Sequence, residues 1–328
     1  MSVAILASMN KNNLKIATRD GFELKAGMPC VLCLGNFDGV HIGHQALLSE
    51  ALAQKQQLKK NYPDVICGAI TFSELTHRSL SRTPIPRITD TDEKNALFFE
   101  MGLDISITLD FENVRNMTPS EFVSDILQAQ CGCVMTVCGF NFRFGAGGIG
   151  NHDTLSQLMN GNSITVSPVA LDGTTVSSTA IRSAVESGDM ESAAKMLGRQ
   201  FSIEGAVNHG RGVGNKLGFA TLNQNFKSRH LVPAHGVYVS SCDIDGMLFP
   251  AVSNVGTHPT FGEGAEVVCE THIIGFCGDL YGKNVKTRLY KFLRPERKFD
   301  SPEQLTQVVM KNIEQAKQYF EKNIKASQ

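Results

Sequence analysis

The chain has 328 residues, 42% of them hydrophobic and 19% charged, the balance of a soluble globular protein with enough apolar material for two cores. Its formal net charge is −1 with Lys and Arg scattered, which argues against nucleic acid and anionic membrane as partners. No apolar run is long enough to span a membrane and residues 1–9 lack a basic signal region; the nine cysteines read as reduced thiols of a cytoplasmic protein, not as a disulfide scaffold.

The first half alternates strand and helix signals. Val31–Leu34 is a buried strand, and Ala46, Leu47, Leu48, Ala51, Leu52 and Leu58 keep a helical rhythm. Val65–Phe72 is a strand, Thr91–Met101 a helix closed by Gly102, and Ile105–Leu109 a strand. Thr118-Pro119-Ser120-Glu121 is a capping box with Pro at the first helical position, opening a helix to about Gln130. Val134–Val137 and Ile164–Leu171 read as strands. This alternation predicts a parallel sheet with helices on both faces. Cys30 and Cys33, with Cys131 and Cys133, could suggest zinc, but a strand sends residues three apart to opposite faces, so buried thiols are expected instead.

The pattern changes near Leu197-Gly198. From Phe201 onward come short strands with Gly-rich turns, clearest at Gly236–Val239, Val252–Val255 and Val267–Phe276. Ser301-Pro302-Glu303-Gln304 is a second capping box, and Leu305, Val309, Ile313, Ala316 and Phe320 mark one face of a terminal helix. A small antiparallel barrel with a C-terminal helix is expected.

Two segments carry chemistry. The strand at Val31 runs into Gly35-Asn36-Phe37-Asp38-Gly39-Val40-His41-Ile42-Gly43-His44, where a helix begins. A Gly-rich turn and a helix N-terminus suit an anion, and two His at i and i+3 can donate to phosphate oxygens as charge develops. In the second half, His209–Asn223 holds Gly210, Gly212, Gly214 and Gly218 with Arg211 and Lys216, a composition suited to cradling phosphate though not a Walker A loop.

The first segment resembles the H-x-G-H signature of the nucleotidylyltransferase superfamily, and its surroundings resemble the bacterial bifunctional riboflavin kinase/FAD synthetases. Gly139-Phe140-Asn141-Phe142-Arg143-Phe144-Gly145 is similar to that family's G-x-[DN]-F-R-F-G block, and Ser177–Arg182 to its S-S-T-x-I-R block. Thr221 and Asn223 match T-x-N; Asn254–Phe261 matches N-x-G-x-x-P-T-F; Glu270-Thr271-His272 matches E-T-H; Asp279–Gly282 matches D-L-Y-G; and Phe292-Leu293-Arg294 to Phe299 resembles F-L-R-x-E-x-K-F.

The resemblance implies a Rossmann-like nucleotidylyltransferase domain over residues 14–182 and a riboflavin kinase barrel over residues 183–325. It implies ATP, riboflavin, FMN and FAD as ligands and Mg²⁺ with ATP. At the first site it assigns ATP to Gly35, Asn36, Phe37, Asp38, His41, His44, Asn141, Ser178, Thr179 and Arg182. His41, His44 and Arg182 would be catalytic, stabilising charge without a protein nucleophile. At the second it assigns ATP to Gly210, Gly212, Gly214, Lys216 and Gly218, the metal to Thr221 and Asn223, the general base to Glu270, and flavin contacts to Glu270 and Arg294. Two departures stand out. The family's T-F-x-P-H-P reads Thr71-Phe72-Ser73-Glu74-Leu75-Thr76-His77, and its Pro before the metal-binding Thr is Ala220. These leave open an enzyme with a single active module. A CDP-alcohol-forming nucleotidyltransferase would have no use for the barrel, and a flavin sensor built on dead modules would not need the polar catalytic groups.

Overall fold

The computed structural model describes residues 14–73, 85–208, 221–259 and 265–323, apart from 21 and 26. Two compact units divide between Ser178 and Thr179, inside a helix, four residues before the boundary expected from the sequence.

The first unit is built on β1 (Lys15–Thr18), β2 (Cys30–Leu34), β3 (Ile66–Phe72), β4 (Ile105–Leu109), β5 (Cys133–Gly139) and β6 (Ser163–Val166), in the order β1-β4-β3-β2-β5-β6. β2 to β6 are parallel. β1, absent from the sequence reading, adds an antiparallel edge beside β4. Four residues without strong alternation leave little local signal. Helices α1 (Ile42–Leu58) and α2 (Thr91–Glu100) cover one face, where Leu48, Ala51 and Phe98 pack on Val31, Cys33 and Ala69. The turn Pro119–Glu121 continues into Phe122–Gln130, together α3, whose Phe122 and Ile126 pack with Leu32, Ile70 and Ile107 on the other face. Each such fully buried large side chain contributes about 1.5–3 kcal/mol. The capping box forms as expected: Glu121 N–H donates to Thr118 Oγ1 at 3.2 Å, and Thr118 N–H to Glu121 Oε2 at 2.7 Å.

One expected strand is corrected. The run Ile164–Leu171 breaks at Val166, because Pro168 has no N–H to continue a ladder. Ala170–Leu171 (β7) and Thr174–Thr175 (β8) form a separate hairpin, after α4 (His152–Leu158) and β6. The cysteines behave as the strand argument requires. Cys30 lies in one core and Cys33 in the other. Cys30 Sγ donates to the Cys131 carbonyl at 2.9 Å, and burial pushes the Cys131 thiol up to about 12. All nine cysteines are unpaired; seven are buried, Cys131 is half-buried and Cys277 is exposed. No His, Cys, Asp and Glu cluster among the described residues could hold a metal.

The second unit begins within α5 (Ser178–Ser187), followed by α6 (Met190–Leu197), which Gly198 ends in a left-handed cap at φ 72°. Six antiparallel strands follow: β9 (Phe201–Ala206), β10 (Thr221–Asn225), β11 (Gly236–Ile244), β12 (Met247–Pro259), β13 (Ala265–Ile273) and β14 (Asn284–Arg294), ordered β10-β13-β12-β11-β14-β9. The sheet curls into a half-barrel whose edges approach where Asn208 N–H donates to the Asn223 carbonyl at 2.8 Å. Val207, Leu222, Cys242, Ile273, Leu280 and Val285 fill one side. On the other, Ile313, Ala316 and Phe320 of α7 (Pro302–Asn323) pack on Val237, Val239, Val252 and Tyr290. The second capping box is half made. Gln304 N–H donates to Ser301 Oγ at 3.3 Å, but Gln304 Oε1 accepts from Asp300 N–H at 3.4 Å. No helix among the described residues is long and apolar enough to cross a membrane.

Candidate active sites

The first site lies where the strand order reverses. From β2 the chain moves to β3 and β4 on one side, then to β5 on the other, so the carboxyl ends of β2 and β5 flank a topological switch point. The turn after β2 carries Asn36 to His41, and the turn after β5 carries the exposed Asn141.

The turn after β2 is strained. Phe37 and Val40 take left-handed φ of 51° and 40°, each costing on the order of 1–3 kcal/mol for a non-glycine residue. Bonds from distant segments hold it. Asp38 Oδ1 accepts from Ile88 N–H at 3.0 Å and Thr89 N–H at 3.3 Å, and Gly39 N–H donates to Thr89 Oγ1 at 2.9 Å. Thr71 Oγ1 and Lys94 Nζ both donate to the Asn36 carbonyl at 2.9 Å. Ser178 Oγ donates to the Asp38 carbonyl at 2.9 Å, bringing two of the sequence motifs together. The Phe37 side chain is fully buried, edge-on to Phe98 and His44. Asp38 and Phe37 thus shape the turn with their side chains, a role the sequence reading had not separated from ATP contact.

His41 is the N-cap of α1, its Nδ1 accepting from His44 N–H at 3.3 Å. With Nδ1 an acceptor, Nε2 is the His41 ring nitrogen that carries a proton. The two imidazoles stack 3.6 Å apart and 16° from parallel. Gly43 leaves this stack uncrowded, since a Cβ there would stand 3.1 Å from the His41 ring. Burial, then the neighbouring His41 and Lys94, hold His44 well below the usual imidazole range, so it is neutral at pH 7. Its Nδ1 is buried with no hydrogen-bond partner among the described residues. Because His44 is neutral, the stacked pair at a helix N-terminus can offer N–H donors to phosphate without the repulsion of two cations. Exposed Thr179 and half-buried Arg182 continue the helix that Ser178 opens.

The second site is laid out by strand register. Asn223 on β10 pairs with Glu270 on β13, which pairs with Asn254 on β12. Directly paired residues share a face, so three polar side chains form a row across three strands. Thr221, two residues before Asn223 and opposite His272, shares that face. Asn254 Nδ2 donates to Glu296 Oε1 at 2.9 Å. Glu296 crosses β12 at Gly256, where a Cβ would stand 1.9 Å from Oε1. Arg294 Nε donates to Asn312 Oδ1 at 3.1 Å and its guanidinium lies 5.6 Å from the Phe299 ring, so its described partners tie β14 to α7 and the segment after β14. Gly210, Gly212, Gly214, Lys216, Gly218 and Ala220 lie outside the described residues, as does the departure at 74–77.

Comparison with known proteins covers both sites. The chain matches the FAD synthetase family over residues 24–180 and the riboflavin kinase family over residues 197–320. The chain belongs to the bifunctional riboflavin kinase/FMN adenylyltransferase family. It is 33% identical to the bifunctional riboflavin kinase/FMN adenylyltransferase of Pseudomonas fluorescens, covering 88% of this chain and 92% of that one. The protein of the same description from Escherichia coli K12 is 32% identical, covering 94% and 96%. A solved structure described as a macrolide-efflux protein from Streptococcus pneumoniae superposes with a TM-score of 0.80 at 29% identity, over 90% of this chain and 96% of that one. Asn36 to His44, Asn141, Ser178 and Thr179 fall within the FAD synthetase match, and Thr221, Asn223, Asn254, Glu270 and Arg294 within the riboflavin kinase match; Arg182 lies two residues past the first. Sequence reasoning passed over Ile88, Thr89 and Lys94, whose hold on the first turn is a tertiary fact with no motif. Asn254 lay inside a recognised block, but its place beside Glu270 shows only in the register.

Proposed function

We propose that the two modules make flavin coenzymes in succession. The C-terminal one transfers the γ-phosphoryl group of ATP to riboflavin, giving FMN and ADP. The N-terminal one joins FMN to the AMP part of ATP, giving FAD and pyrophosphate. Membership of the bifunctional family across both modules, in the same order, carries this reading.

In the first module an FMN phosphate oxygen attacks the α-phosphorus of ATP and the bond to pyrophosphate breaks. His41 and His44 donate to the phosphate oxygens as charge develops, Asn36 and Asn141 place ATP, and Gly35, Phe37 and Asp38 supply the turn it rests on. Ser178, Thr179 and Arg182 clamp the triphosphate, with Arg182 steadying the leaving group. In the second module Glu270 takes the proton of the ribityl 5′-hydroxyl as that oxygen attacks the γ-phosphorus. The Gly210–Gly218 loop with Lys216 cradles the nucleotide, and Arg294 lies on the flavin side. Both reactions use ATP with a divalent metal, here Mg²⁺. The Thr221 hydroxyl and Asn223 amide oxygen, hard donors on one face of β10 beside Glu270, fit that ion. Bound there, it neutralises phosphate charge. The unpaired cysteines fit a cytoplasmic enzyme.

The test is to give purified protein MgATP with riboflavin or with FMN and resolve the flavins by chromatography. Riboflavin should yield FMN and then FAD. His44→Ala with Arg182→Ala should stop FAD formation while FMN accumulates. Loss of both activities in a folded variant would break the two-site assignment.

A further inference from the structure

Lys94 belongs to no motif, yet it occupies a singular place. It sits on α2 and is 5% exposed, a rare condition for a lysine. Its Nζ donates at 2.9 Å to both the Asn36 carbonyl and Thr71 Oγ1, and Thr71 Oγ1 in turn donates to the same carbonyl. That carbonyl precedes Phe37, the first left-handed residue of the turn. One ammonium thus joins α2, the end of β3 and the start of the strained turn. Asp38 and Thr89, which fasten the same turn one residue further on, line a small crevice of about 10 Å³ together with Lys94, Arg87, Phe72, Ser73 and Thr91, so the ammonium is closely packed.

We infer that Lys94 is a positioning residue for adenylyl transfer: its buried ammonium holds the Asn36 carbonyl, fixes the turn after β2, and so sets His41 and His44 against the reacting phosphates. This rests on the first-site reading above and adds the residue that keeps that site in shape. The inference also has a pH signature. Burial lowers the Lys94 pKa to about 8; Asp38 on the turn and Asp90 at the N-cap of α2 oppose the shift, and Arg87 before α2 reinforces it. His44 on α1 feels the same charge and is itself neutral. As pH rises through about 8 the amine loses its charge and its grip on the carbonyl weakens.

The experiment measures FMN-to-FAD conversion against pH for the wild type, Lys94→Met and Lys94→Arg, with riboflavin phosphorylation by the same polypeptide as an internal control. In the wild type kcat should fall as pH rises through about 8. Lys94→Met should lower kcat by about 10²-fold, the scale of an ångström of misplacement, with KM little changed, phosphorylation intact and the alkaline limb gone. Its Tm at neutral pH should hold, because the change removes a buried cation. Lys94→Arg keeps a cation that does not titrate in this range but must fit a crevice of about 10 Å³, so it should recover only part of the rate and show no limb near pH 8. A wild-type profile flat through this range would overturn the inference. So would Lys94→Met with a rate within twofold of wild type, or with a lowered rate and Tm but an unchanged limb. A wild type unable to convert FMN would instead bring down the first-site reading itself.

Discussion

The two sites are assembled by different means. The first depends on one strained turn whose shape is enforced by residues from three other segments: Thr71, Ile88 to Lys94, and Ser178. The second depends on register: Asn223, Glu270 and Asn254 meet because three antiparallel strands pair in one alignment. A turn-built site concentrates its vulnerability in a few bonds. A register-built site spreads positioning over a whole ladder, so damage there should fall mainly on residues that touch substrate.

Glu270→Ala should give the largest effect, lowering riboflavin phosphorylation by about 10²–10⁴-fold while FMN adenylylation proceeds at the wild-type rate in the same assay. Gly43→Ala should come next. The new methyl presses on the His41 ring, and a tenfold or greater fall in FAD formation with phosphorylation unchanged would mark the turn as unforgiving; a rate close to wild type would show the imidazole stack to be adaptable. Gly256→Ala displaces Glu296 from Asn254. A severalfold loss of phosphorylation, with a melting temperature lowered by a few degrees, is expected, because Glu270 stays in register. The smallest effect belongs to Ala220→Pro. Fixing φ before Thr221 is worth about 0.5–1 kcal/mol, so the apparent KM for MgATP should fall two- to fivefold. An unchanged KM would show that a proline before Thr221 does not preorganise the strand that begins there.

Much of this architecture was legible because its signals are local. The Thr118–Glu121 capping box and the strands around Val31, Ile70 and Ile107 are specified by adjacent residues, as is the glycine-rich exit into His41 and His44. Pro168 is equally visible in the sequence, and its missing donor, not the apolar content of Ile164–Leu171, decides that the strand ends at Val166. Other features were hidden by distance. Lys94 on an otherwise charged helix end reads as a solvated side chain, and nothing nearby says that Asn36, 58 residues earlier, waits for its ammonium. The Phe37 ring sits in an apparent nucleotide loop but packs as core. Arg294 meets Asn312, the Pro295 carbonyl and the Phe299 ring, and the contact with Asn312 depends on where the terminal helix docks.

The cysteine distribution has a practical consequence. Cys277 is the one exposed thiol of nine, on the loop after β13, whereas burial pushes the thiols of Cys67, Cys131 and Cys242 up to about 12. A maleimide dye at neutral pH should therefore attach at a single position on the kinase module of the unmutated protein. That gives a fluorescent or spin-labelled reporter of barrel motion during turnover without engineering a cysteine-free background.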